Sequence, residues 1–125
     1  MRYTLLLHHI EATPDEIGEA EWAAAEAAFA AYIRDLDESR VLVAAEVLQP
    51  VAHSTTLTLR DGSLRVQDGP FAETKEQLGG LFVIEVPDLD AALAWAEKCP
   101  AARWGTIEIR PTALHGREGR WVAPE

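Results

Sequence analysis

Apolar and polar positions alternate from Tyr3 to His9, with Leu5 and Leu7 on one side and Leu6 on the other. That pattern predicts a strand at least partly covered on both faces. Thr13-Pro14-Asp15-Glu16 follows. Thr13 can cap the first free amides, Pro14 suits the first helical position, and Glu16 can reach back to the cap. The spacing predicts an Ala-rich helix from there to about Asp37. Trp22, Ala25, Phe29, Tyr32 or Ile33, and Leu36 lie on one stripe of it, the face for a sheet. Arg40 to Leu48 reads as the next strand, closed by Pro50. Ser54–Arg60 and Ser63–Gln67 flank Asp61-Gly62, a strong two-residue hairpin turn. Leu81 to Val86 is an apolar, β-branched run suited to a buried strand. Asp88 caps a second helix through Lys98, with Leu89, Ala92, Leu93 and Ala96 as its packing face and Pro100 as its stop. Trp104 to Arg110 alternates as a last strand. Residues 112–125 read as a tail with turns at Gly116 and Gly119, whose Trp121 and Val122 call for a packing partner.

The order is therefore β-α-β-(hairpin)-β-α-β in one domain spanning residues 1–125. Two helices separated by strands fit a split βαβ arrangement, with both helices on one face of an antiparallel α+β sheet. The strands carry few charges on either side, so the other face should also be covered. A second copy in a C2 homodimer would do this.

Composition narrows the function classes. The formal net charge of -10 opposes binding to phosphate backbones and to anionic membrane surfaces. No apolar run approaches a membrane span, and the N-terminus lacks the features of a signal peptide, so the chain reads as cytoplasmic. The single cysteine, Cys99, has no internal disulfide partner, and no Cys/His spacing matches a metal site. The sequence calls for no metal and no cofactor.

The segment Asp68-Gly-Pro-Phe-Ala-Glu-Thr-Lys-Glu-Gln-Leu-Gly-Gly80 cannot be read from periodicity. Asp68-Gly69-Pro70 is turn chemistry, and Phe71 is a candidate core anchor. Thr74 can cap a short helical turn that Gly79 ends. One reading is a well-made structural loop. Another is a binding loop, in which free amides at Thr74 and the charge of Lys75 receive an anion, while Asp68, Glu73 and Glu76 supply carboxylates. A third is a contact between the subunits of a dimer. Asp68 is then the first candidate acid or base, with His8 and His9 next, because imidazole titrates near neutrality. His8 and His9 point to opposite sides of the sheet, and alternation alone does not say which meets a cleft. Glu85, Glu108 and Arg110 are charged residues within strands. They form either cross-strand ion pairs or, for Arg110, a grip on a ligand carboxylate. The candidate ligand-binding residues are thus Phe71, Glu73, Thr74, Lys75 and Arg110.

This segment and its continuation, Leu81-Phe-Val-Ile-Glu-Val-Pro-Asp-Leu-Asp-Ala-Ala-Leu-Ala-Trp-Ala96, resemble the signature of the YCII-related, or DGPF-domain, family of small bacterial proteins. The general layout from Tyr3 to Pro111 fits as well. The resemblance implies a ferredoxin-like fold of the dimeric α+β barrel type, in which two sheets pack face to face. It also implies two kinds of role. Some members of the wider family act as enzymes through a His–Asp pair with the His on or near the first helix, and similar folds carry lyase and isomerase chemistry. This chain has no His between Ile10 and Ala52, so that residue does not carry over. An enzyme here would be a cofactor-free lyase, isomerase or hydrolase acting on a small anionic metabolite. Other members are encoded beside sigma factors of the extracytoplasmic-function type, which implies a non-catalytic accessory role. Some dimeric α+β barrels oxidise quinols or bind haem, but no residue here calls for that chemistry.

Overall fold

The computed structural model describes residues 1–125. In chain order the elements are β1 (Arg2–His9), α1 (Pro14–Ile17), α2 (Glu19–Glu38), β2 (Leu42–Val47), β3 (Thr55–Arg60), β4 (Ser63–Asp68), β5 (Gln77–Glu85), α3 (Leu89–Lys98), β6 (Gly105–Pro111), β7 (His115–Arg117) and β8 (Arg120–Val122). Four strands form an antiparallel sheet in the order β2-β5-β1-β6. With β3–β4 set aside as a separate hairpin, this is the ferredoxin-like α+β arrangement.

The first helix departs from its expected continuity. Thr13 forms the capping box with Glu16, but Gly18 adopts φ 96° and divides α1 from α2. Only glycine takes that conformation without steric cost, so the helix breaks and restarts there. At the far end, Arg40 takes φ 61°. The Arg40 amide donates to the Asp37 carbonyl and the Val41 amide to the Leu36 carbonyl, a Schellman closure built without glycine.

One sheet face meets the helices. Tyr3, Leu5 and Leu7 of β1 and Phe82 and Ile84 of β5 are buried against Tyr32 and Leu36 of α2 and Ala92 and Ala96 of α3. Tyr32, not Ile33, occupies the stripe. Its ring meets Phe82 edge to face at 5.1 Å between centroids, and its hydroxyl donates to the Trp95 carbonyl at 2.8 Å. The expected packing face of α3 is corrected in part. Ala92 and Ala96 are buried with Trp95 beside them, whereas Leu89 and Leu93 are half exposed. A helix of ten residues rotated toward its alanines sits closer to the sheet and leaves the two leucines on its flank.

Burial pushes the Cys99 thiol up, against a smaller lowering by a backbone hydrogen bond at Ala101. Tyr32 is also pushed up, by burial first and by Cys99 second. Each group holds its proton more tightly folded than unfolded. The stability this contributes is complete below the unfolded values, 9.0 for the thiol and 10.0 for the phenol, and is lost as pH rises through the folded ones. Melting temperatures should therefore fall above about pH 9, and Cys99→Ala should flatten the first part of that fall. An identical alkaline slope in Cys99→Ala would remove the thiol from this account.

The C-terminal segment is more ordered than a tail with turns. β7 and β8 form a hairpin turning at Glu118-Gly119, both at positive φ, while Gly116 lies within β7. Val122 is half-buried, but Trp121 remains 76% exposed.

Candidate functional site

The second sheet face carries no helix. Period-two alternation puts Thr4, Leu6 and His8 of β1 on it, beside Leu81 and Val83 of β5 and Thr106, Glu108 and Arg110 of β6. Leu6 stands between Leu81 and Glu108, and His8 stands opposite Thr106. At the His8 end the face is walled by the loop that precedes β5.

That loop is not a helix. No helical turn starts at Thr74, and β5 begins at Gln77, so Gly79 and Gly80 lie inside a strand and end nothing. The Thr74 hydroxyl donates to the Glu76 carbonyl, and the Gln77 amide nitrogen donates to the Thr74 carbonyl at 2.7 Å. The Glu76 carboxylate accepts from the Thr106 hydroxyl at 3.1 Å. Thr74 and Gln77, expected to start a helix, are thus spent on bonds within the loop, and the Glu76 carboxylate fastens the loop to β6. The expected anion site at a helix N-terminus is absent with the helix.

A cleft of about 740 Å³ results, lined by His8, Ile10, Thr74, Lys75, Glu76, Thr106 and Glu108. Its most organised group is an imidazole–carboxylate pair, with His8 Nε2 lying 3.1 Å from Glu108 Oε1. Arg110 Nε lies 3.5 Å from Glu108 Oε2. An ionised carboxylate only accepts, so His8 Nε2 carries the proton and Nδ1 is left free to take one. The pair is partly solvated, so its contribution to stability is small. Its consequence is orientation of the ring.

His9 points to the helix side. A Cβ on Gly79 would fall 2.1 Å from its Nε2, and one on Gly105 would fall 3.0 Å from its Cβ. Gly79 makes room for this ring, while Gly105 makes room for the β1 backbone that carries it. The ring's Nδ1 lies 3.2 Å from the Ile10 carbonyl, where it can donate. His9 is outside the cleft.

The other candidates divide. Thr74 and Lys75 line the cleft. Asp68 does not: it ends β4 opposite Thr55, so the expectation that Asp68 and Lys75 share a site is corrected. Asp68 sits at the base of the hairpin, where the Gly69 amide donates to the Ser54 carbonyl at 2.8 Å. Phe71 is 85% exposed and anchors nothing in the core. Glu73 is exposed in the loop and outside the cleft. Arg110 holds Glu108 rather than a free carboxylate position. Sequence reasoning missed Glu108 as the partner of His8, and Thr106 with Glu76 as the clasp on the loop. The signal that could have found them is the i, i+2 spacing of Thr106, Glu108 and Arg110, which puts all three on one face of the last strand. No three His, Cys, Asp or Glu side chains gather as a metal-binding group. No helix is long and apolar enough to cross a membrane.

The model of the YCII-related domain matches residues 1–113, nearly the whole chain. The chain belongs to the YCII-related family. This YCII-related protein is also similar to an uncharacterized protein of Rhizobium meliloti, 44% identical over 70 residues. That match covers 54% of this chain and spans about half, 56%, of the relative's length. In this YCII-related chain the signature segment supplies one wall of the cleft at Thr74–Glu76, while β1 and β6 supply the other.

Proposed function

We propose that this YCII-related protein binds a small anionic metabolite in the His8 cleft and moves a proton on it, as a cofactor-free lyase or isomerase. The observation that carries this reading is the 3.1 Å His8–Glu108 pair in the cleft wall. An imidazole oriented by a carboxylate, with its second nitrogen free, is equipped as a general base and then a general acid. Lys75 on the opposite wall supplies positive charge for a carboxylate or enolate oxygen. Hydrolysis through a covalent intermediate fits less well, because no Ser or Cys lines the cleft and the hydroxyls of Thr74 and Thr106 are both engaged by Glu76.

The same reading includes a C2 homodimer, which is supported by the helix-free sheet face. Leu6, Leu81 and Val83 make an apolar centre there, and a second sheet packed face to face would cover it. It would also roof an otherwise open cleft and strengthen the electrostatic interactions within it.

The test is a thermal-shift screen of small carboxylates, lactones and phenolic acids on wild type, His8→Gln and Lys75→Ala. A compound at about 100 times its Kd should stabilise the folded wild type by about 2.7 kcal/mol. Binding should weaken in Lys75→Ala. Wild type should incorporate solvent deuterium into the bound compound, and His8→Gln should slow that incorporation by about 100-fold or more. A screen with no shift, or exchange unchanged in His8→Gln, sinks the proposal.

A further inference from the structure

The charges around the His8 cleft are not equally committed. Glu108 is balanced, with one carboxylate oxygen 3.1 Å from His8 Nε2 and the other 3.5 Å from Arg110 Nε. Glu76 is not balanced. Its Oε1 accepts from the neutral Thr106 hydroxyl at 3.1 Å, and it forms no ion pair. Lys75 forms none either. The cleft therefore offers a ligand one free cation, Lys75, and one uncompensated carboxylate, Glu76, from adjacent residues of the same loop.

We infer that the cleft admits substrates with a single negative charge and turns away those with two, and that Glu76 sets this limit. Lys75 meets the first charge. A second finds no free cation, because Arg110 is held by Glu108 and does not line the cleft. Of the three ionised side chains in the lining, two are carboxylates, and only Glu76 lacks a counter-charge. A like charge at about 4 Å weakens binding about 5-fold even in bulk water, and more where the ligand displaces that water. An unpaired like charge of this kind is a direct means of rejecting the wrong ligand. The formal net charge of -10 adds a longer-range penalty that grows with ligand charge. The role of Glu76 as a fastener does not require its charge, since an amide oxygen would accept from Thr106 equally well. The charge is therefore separable from the clasp. The admitted class is monocarboxylates, and the excluded class is dicarboxylates and phosphate monoesters. This inference rests on the anion-binding cleft proposed above and names the substrate class of that same site.

The experiment titrates two matched pairs, lactate against malate and benzoate against phthalate, at a pH where every carboxyl group is ionised. Wild type, Glu76→Gln and Thr106→Val are followed by the nuclear magnetic resonance signals of His8 and Lys75. Wild type should bind each monoacid at least about 10-fold more tightly than its diacid, and added salt should narrow that ratio. Glu76→Gln keeps an oxygen for Thr106 and should reduce the ratio to about 3-fold or less. Thr106→Val frees the loop but keeps the charge, so it should weaken both acids and preserve the ratio. An unchanged ratio in Glu76→Gln, or a ratio lost equally in Thr106→Val, overturns the inference and leaves the anion-binding cleft standing. Signals that no acid of either kind perturbs overturn both.

Discussion

Gly105→Ala is expected to destabilise the protein by about 3 kcal/mol or more, a far larger effect than a single added methyl group usually has. Gly105 opens β6 opposite His9. A Cβ there would fall 2.2 Å from the His8 carbonyl oxygen and 3.0 Å from His9 Cβ. The first obstacle is backbone, which cannot swing aside as a side chain can. The two strands would have to separate by the better part of an ångström at the point where β1 presents His8. In a domain of this length the loss corresponds to a melting temperature lower by on the order of 10 °C. The same separation would break the 3.1 Å contact between His8 and Glu108. The imidazole nuclear magnetic resonance signals of His8 should therefore move in any protein that remains folded. Gly116→Ala is the matched control, since nothing lies within 4 Å of a Cβ there and its φ is not positive. Equal melting temperatures for wild type and Gly105→Ala would show that the strands do not approach as closely as described.

Leu36→Ala should cost about 3–4 kcal/mol, within the range for a leucine truncated in a core that cannot collapse around the gap. Leu36 is fully buried at the last turn of α2, against the β1 and β5 side chains. The Schellman closure begins at its carbonyl, so the backbone around the cavity is pinned. A domain of this kind holds about 5–15 kcal/mol in total, so the variant should fold but melt at least about 10 °C lower. Ile33→Ala, three residues earlier on the same helix, should cost about 1 kcal/mol or less, because Ile33 is 39% exposed. Similar losses at the two positions would mean that α2 meets the sheet through another stripe.

Those two sites differ in how visible they are from the sequence. Leu36 follows from spacing alone, because it lies four residues beyond Tyr32 and seven beyond Phe29 on a helix whose start is announced by Thr13 and Pro14. The need for glycine at 105 does not follow, because the atom it avoids belongs to a residue almost a hundred positions away. The signature loop failed for a related reason. Thr74 followed by Gln77 reads locally as a capping motif, but the Thr74 hydroxyl is engaged by the next carbonyl but one, and the Glu76 carboxylate by Thr106. With these groups committed, the chain enters β5 directly. Gly18 could have been recognised, since a glycine inside a helical run costs about 1 kcal/mol and marks a break when φ turns positive.

The sequence by itself determined the element order, the antiparallel α+β class, the Asp61-Gly62 turn, the helix stripe on α2 and the family resemblance. Each depends on residues within one or two turns of one another, where chain geometry ties spacing to face. Only the tertiary structure decided that His8 meets the cleft while the His9 ring lies over Gly79, and that Glu108 holds the His8 ring from 100 residues away. It also left Asp68 at the base of the hairpin, outside the residues that line the cleft. Those outcomes depend on which strand lies beside β1 and in what register. A shift of one residue would turn every side chain to the opposite face, and no local pattern carries that information.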